Sequence, residues 1–90
     1  MGTDVLKEPA KTGLGGQYNV LLWNDEHNDM AHVVIALMSV CHLGAQQAAS
    51  VMMQAHRNGK AVAKTSPLEH AEMYRDGLED QGLTATIEPV

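Results

Sequence analysis

Between Tyr18 and Trp23 the chain runs Tyr-Asn-Val-Leu-Leu-Trp, a short β-prone stretch with glycines before it and the polar segment Asn24 to Asp29 after it. This predicts a strand followed by a loop. From Met30 the apolar spacing turns helical. Met30, Val33, Val34, Leu37, Val40 and Cys41 recur every three or four residues, with Asn28 and Asp29 as N-cap candidates. The predicted helix extends to about Leu43, where Gly44 ends it. A second helix is expected from Ala45 to Asn58, with Ala48, Val51, Met52 and Ala55 on one face and Gly59 as its left-handed cap. Lys60 to Lys64 reads as a brief strand. Ser66-Pro67-Leu68-Glu69 then has the form of a capped helix start, with Ser as N-cap, Pro at the first helical position and Glu two residues on. That helix is predicted to reach Gln81 and to close at Gly82, and Leu83 to Glu88 alternates apolar and polar residues as a half-buried strand does.

The order β-α-α-β-α-β predicts an α+β fold, a two-layer sandwich in which a three-stranded antiparallel sheet buries one face beneath three helices. Met1 to Gln17 contains Pro9 and four glycines among charged residues, with no periodicity that could bury a face. It is expected to form a flexible arm, leaving residues 18–90 as the core domain.

Composition narrows the functions open to such a domain. Ninety residues make one small domain, too short for a deep enzyme-sized active site. Aromatics are only 3% with no Phe, so the core must come from Leu, Val, Ala and the six Met. Net charge is −5 and the six basic residues are scattered, which argues against nucleic acid as a partner. Cys41 is the only cysteine, so neither an internal disulfide nor a thiol-rich zinc site can form. No apolar run approaches the ~20 residues of a membrane span, and no signal-peptide pattern opens the chain. A soluble, cytoplasmic protein without membrane partners is expected.

The chemistry concentrates in Asn24-Asp25-Glu26-His27-Asn28-Asp29, which holds three carboxylates, two amides and an imidazole. Two readings are open: a solvated turn carrying helix caps, or a small cation-binding site. His56, near the predicted C-terminus of the second helix, reads by itself as a capping histidine favoured by the helix dipole. His27 and His32 are five apart rather than the four of a helical metal pair, and His42 and His70 fall in unrelated segments, so neither metal nor cofactor is expected. Cys41 and His42 are neighbours that a helix points in different directions, and no phosphate loop or nucleophile elbow occurs. No enzymatic activity is predicted.

Tyr18-Asn19-Val20-Leu21-Leu22-Trp23-Asn24-Asp25-Glu26, then Met30, then Ala55-His56-Arg57-Asn58-Gly59-Lys60-Ala61, and finally Leu83-Thr84-Ala85-Thr86-Ile87-Glu88, together resemble the ClpS family from Tyr18 onward. The resemblance implies an adaptor that binds the free α-amino group and bulky hydrophobic first residue (Leu, Phe, Tyr or Trp) of N-degron substrates. It would deliver them to a Clp AAA+ protease through the N-domain of a ClpA- or ClpC-type ATPase. The positions implied for the amine are Asn24, Asp25 and His56. Those implied for the side-chain pocket are Asn28, Met30, Val33, Met52, Ala55 and Leu83, with Met30 as a gate against β-branched residues. An ammonium offers donors and no acceptors, which an amide oxygen, a carboxylate and a neutral imidazole nitrogen suit.

The chain departs from the family pattern where Asn28-Asp29 replaces the usual Thr-Pro, Glu26 stands where Asp is common, and Ala55 takes the place of a larger apolar residue. These changes imply a roomier or more polar pocket. For ATPase docking Glu69 is in place, the usual downstream Lys is absent and Arg75 is the substitute. The alternative function is a protein-interaction domain of similar topology, as in the C-terminal domain of the ribosomal stalk protein, without a pocket for an N-terminal residue.

Overall fold

A computed structural model describes residues 16–90, and residues 1–15 of the arm expected over 1–17 lie outside them. The apolar run of the first strand, β1 (Gln17–Trp23), becomes the middle of a three-stranded sheet. β2 (Lys60–Pro67) and β3 (Thr84–Pro89) pair antiparallel on either side of it, in the order β2-β1-β3. Gln17 is thus a strand residue rather than the last residue of the arm, because it pairs with Pro67. Val20 and Leu22 of β1 meet Ala61, Ala63 and Ala85 in one buried cluster beneath the helices, while Leu21 points to the opposite face between its register partners Val62 and Thr86.

The helices α1 (Met30–Cys41), α2 (Ala45–Asn58) and α3 (Leu68–Asp80) form the second layer, as the two-layer sandwich predicts. Leu37, Cys41, Ala48, Ala71 and Leu78 bring their inner faces to 0% exposure. Gly77 allows α3 to close on α1, since a Cβ there would stand 2.6 Å from Val40 Cγ1. Burial pushes the Cys41 thiol up to about 11 against the opposing pull of the Lys64 ammonium, so this sulfur is neutral core material at pH 7.

Three boundaries differ from the sequence reading. α1 stops at Cys41 and His42 takes the left-handed conformation (φ 59°), which leaves Gly44 as the N-cap position of α2 rather than the end of α1. β2 continues past Lys64 to Pro67, because Ser66 pairs with Tyr18 and Pro67 with Gln17. A bulge opposite Val20 and Leu21 inserts Ala63, and the shift turns Ala61, Ala63 and Ser66 all inward. Pro67 is tolerated because β2 is an edge strand. Consequently Ser66 is not the N-cap of α3: Pro67 holds that position without a side-chain cap, and the Ser66 hydroxyl donates to Pro67 O at 3.3 Å.

The remaining ends fall within one residue of expectation. Gly59 (φ 92°) donates its N–H to Ala55 O, closing α2. After α3, Gly82 (φ 86°) donates to Glu79 O and Leu83 to Leu78 O, a Schellman pair that turns the chain sharply into β3.

Candidate functional site

The polar loop lies at the end of the sheet where β1 hands over to α1. Its start is tied to the end of α2, because the Asn24 N–H donates to Gly59 O at 2.9 Å. That bond brings His56, one turn back along α2, to the same rim as Asn24 and Asp25 although more than thirty positions separate them in sequence.

Within the loop Asp25 is the organiser. Its Oδ1 accepts from the backbone N–H groups of His27 and Asn28, both at 2.9 Å, and the Asn28 amide nitrogen reaches both carboxylate oxygens, at 3.3 and 3.1 Å. Burial alone raises the Asp25 pKa, but the N–H donors of Asn28 and His27, the Asn28 amide and the nearby His27 ring outweigh it. Together they hold the carboxyl below its ordinary value of 3.8. Asp29 has a different task. Its carboxylate accepts from His32 N at 2.9 Å and caps α1. The capping reading of the loop is therefore realised by Asp29, while Asp25 folds the loop on itself and keeps Oδ2 bonded only to the Asn28 amide among the described contacts.

Beneath the loop is a cavity of about 320 Å³. Asn24, Asp25 and His56 line it, as do Asn28, Met30, Val33, Met52, Ala55 and Leu83, so the cavity gathers all nine positions named above for an amine and a first side chain. Leu22, Trp23, Glu26 and Asp29 line it as well. Leu22 falls in the strand predicted over Tyr18 to Trp23, but which face of that strand turns inward is settled only by its pairing with Ala61 and Ala85. Glu26 and Asp29 belong to the acidic segment, whose composition does not tell which of its carboxylates become cavity walls. Glu69 and Arg75 sit on α3 and do not line the cavity: Glu69 is exposed in the first turn, and the Arg75 guanidinium is paired with Asp76 at 3.0 Å.

The cavity is two-sided in its chemistry. Leu22, Ala55 and Leu83, at 2%, 3% and 4% exposure, make an apolar floor, with the half-buried Val33 and Met52 beside them. Met30, 46% exposed, stands where α1 begins. The rim carries the carboxylates of Asp25, Glu26 and Asp29 and the exposed imidazole of His56, and no Lys or Arg is among the lining residues. Such a site suits a ligand with a cationic hydrogen-bond donor at one end and an apolar group at the other. Its volume is at the low end of the ~300–1,000 Å³ of ligand pockets, the size for one side chain rather than for a large cofactor. Among the described residues no group of three or more His, Cys, Asp or Glu could hold a metal ion, and no helix is long and apolar enough to cross a membrane.

Comparison with known proteins converges on one family. The family model for the ATP-dependent Clp protease adaptor protein ClpS matches residues 15–86. The ClpS adapter protein of Synechococcus elongatus is 39% identical over 93 residues, covering 99% of this chain and 98% of the relative. The chloroplastic adapter of Chlamydomonas reinhardtii is 41% identical over 73 residues, covering 80% of this chain and 45% of its own length. Among solved structures, Agrobacterium tumefaciens ClpS2 bound to L-phenylalaninamide superposes with a TM-score of 0.80 at 31% identity, covering 83% of this chain and 98% of that one. With the fold, the cavity and these likenesses in agreement, the chain belongs to the ClpS family of ATP-dependent Clp protease adaptor proteins.

Proposed function

We propose that this adaptor captures N-degron substrates by their first residue and passes them to a Clp AAA+ ATPase. The free α-amino group is held at the rim and the first side chain in the cavity. The observation that carries this reading is that the three implied amine ligands and the six implied pocket residues, drawn from two helices, the loop before α1 and the turn before β3, line one cavity. The Agrobacterium tumefaciens relative, bound to the amide of a bulky hydrophobic amino acid with a free amine, supports the same chemistry. A cavity at this place also weighs against the domain without an N-terminal pocket.

In this mechanism the ammonium donates to the Asn24 side-chain oxygen, to Asp25 Oδ2 and to a neutral His56 nitrogen. Asp25 suits the task because its loop bonds keep it ionised and leave room at Oδ2 for one more donor. The first side chain descends past Met30 toward Leu22, Ala55 and Leu83. Burial of a Leu or Phe side chain contributes roughly 1.5–3 kcal/mol, whereas micromolar affinity needs about 8 kcal/mol. The ammonium and backbone hydrogen bonds must therefore supply the larger share. Leu, Phe, Tyr and Trp are the favoured first residues, and Ile and Val are turned away at Met30.

The chain itself performs no chemistry in this scheme; unfolding and cleavage belong to the ATPase and its protease. The α3 surface around Glu69 and Arg75 is proposed to meet the N-domain of a ClpA- or ClpC-type ATPase. Peptide titration tests the reading. Peptides beginning with Leu, Phe, Tyr or Trp bind, those beginning with Ile or Val bind much more weakly, and N-acetylation abolishes binding. Equal affinity for free and acetylated peptides would sink the proposal.

A further inference from the structure

The turn that leads into the floor of the cavity is held from outside by two side chains of the loop and α1. The Asn28 amide nitrogen donates to Gly82 O at 2.9 Å, and His32 Nε2 lies 2.7 Å from Gln81 O. A carbonyl can only accept, so His32 Nε2 carries the proton. The two bonds take hold of successive carbonyls in the turn Gln81-Gly82, and the next residue is Leu83, buried on the cavity floor. That turn has little else to anchor it on this side. Gln81 and Gly82 are exposed, and their backbone N–H groups point back to α3, to Gly77, Leu78 and Glu79.

We infer that Asn28 and His32 clamp the Gln81-Gly82 turn and thereby set the depth of the side-chain cavity, making His32, which does not itself line the cavity, a determinant of which first residues fit. The inference rests on the first-residue reading given above and deepens it. The Asn28 amide has a double role, since the same nitrogen contacts both oxygens of Asp25 and so joins the rim to the floor. His32 grips the turn without touching Asp25: its ring contacts Gln81 and its backbone N–H is held by Asp29. Removing the His32 ring therefore relaxes the floor alone, and removing the Asn28 amide disturbs both halves. A floor freed to retreat accommodates larger side chains, so indole gains on isobutyl.

The test uses the full chain and Leu- and Trp-initiated peptides, each free and N-acetylated. His32→Leu should raise the Trp-to-Leu affinity ratio by roughly two- to tenfold, the effect of one net hydrogen bond, with discrimination against acetylated peptides unchanged. His32→Gln, which keeps a donor at similar reach, should restore the wild-type ratio, and Asn28→Ala should shift the ratio and weaken all free peptides together. In the unliganded protein the Leu83 amide, bonded to Leu78 O at 3.1 Å, should exchange faster in His32→Leu and in Asn28→Ala. An unmoved ratio in folded His32→Leu, failure of His32→Gln to restore it, or unchanged Leu83 exchange in both loosened variants would each overturn the clamp. A wild-type protein that binds acetylated and free peptides alike takes down the underlying reading instead, and that result is visible before any variant is made.

Discussion

α1 and α3 both begin after short polar stretches that look alike in sequence, Asn28-Asp29 before Met30 and Ser66-Pro67 before Leu68, yet only the first contains a working cap. Asp29 is free to cap because it ends a loop in which Asp25 already holds His27 and Asn28. Ser66 is not, because its backbone belongs to β2 and its side chain is turned inward by the bulge at Ala63. A capping signal is a statement about an unpaired backbone, and strand pairing overrides it. The polar groups at the start of α1 then face a cavity, whereas the start of α3 has an edge strand behind it.

The largest expected effect lies between these two starts, in the core they share. Leu37→Ala, at a fully buried position, should cost about 2–5 kcal/mol in denaturant unfolding. A smaller loss would mean that α1 is held mainly by its loop. The next effect separates the two regions by function. Asp25→Ala should weaken binding of a free Leu-initiated peptide by about 1.5–3 kcal/mol, the scale of a hydrogen bond to a charged group, and His56→Ala should follow it. Glu69→Ala should leave peptide affinity unchanged. Circular dichroism should report all three variants as folded, and unfolding of Asp25→Ala would assign that residue to structure rather than to binding.

A finer measure compares the caps directly. Asp29→Ala should destabilise the protein by about 1 kcal/mol, as loss of a working N-cap does, while Ser66→Ala should change stability by no more than about 0.5 kcal/mol. Equal costs would mean that Ser66 acts as a cap in solution. The smallest effect is in pH. The Asp25 carboxyl is held below 3.8 in the folded loop, so its contribution to loop stability is complete above the unfolded value and is lost as pH falls through the lowered one. The His27 and Asn28 amides, which donate to Asp25, should therefore stay protected from hydrogen exchange at about pH 5 and lose protection only below about pH 4. Loss of protection already near neutral pH would show that another group governs the loop.

Element order and type were readable from residue spacing alone, because helical and strand periodicities are local properties and Gly59 and Gly82 mark ends that only a left-handed residue can close. The ends set by neighbours were not. His42 took the turn expected of Gly44, and β2 absorbed Ser66 and Pro67, since those outcomes depend on partners far along the chain. The same division runs through the site. The residue types in Asn24 to Asp29 announced a concentration of acceptors, and likeness to the ClpS pattern named the positions. Tertiary structure alone decided that Asn24 would be tied to Gly59, that Leu22 and Glu26 would join the wall, and that Asn28 and His32 would reach across to Gln81 and Gly82. Spacing along the chain determines which face a side chain occupies, but a hydrogen bond between residues about fifty positions apart exists only after the sheet and helices have brought its two ends together.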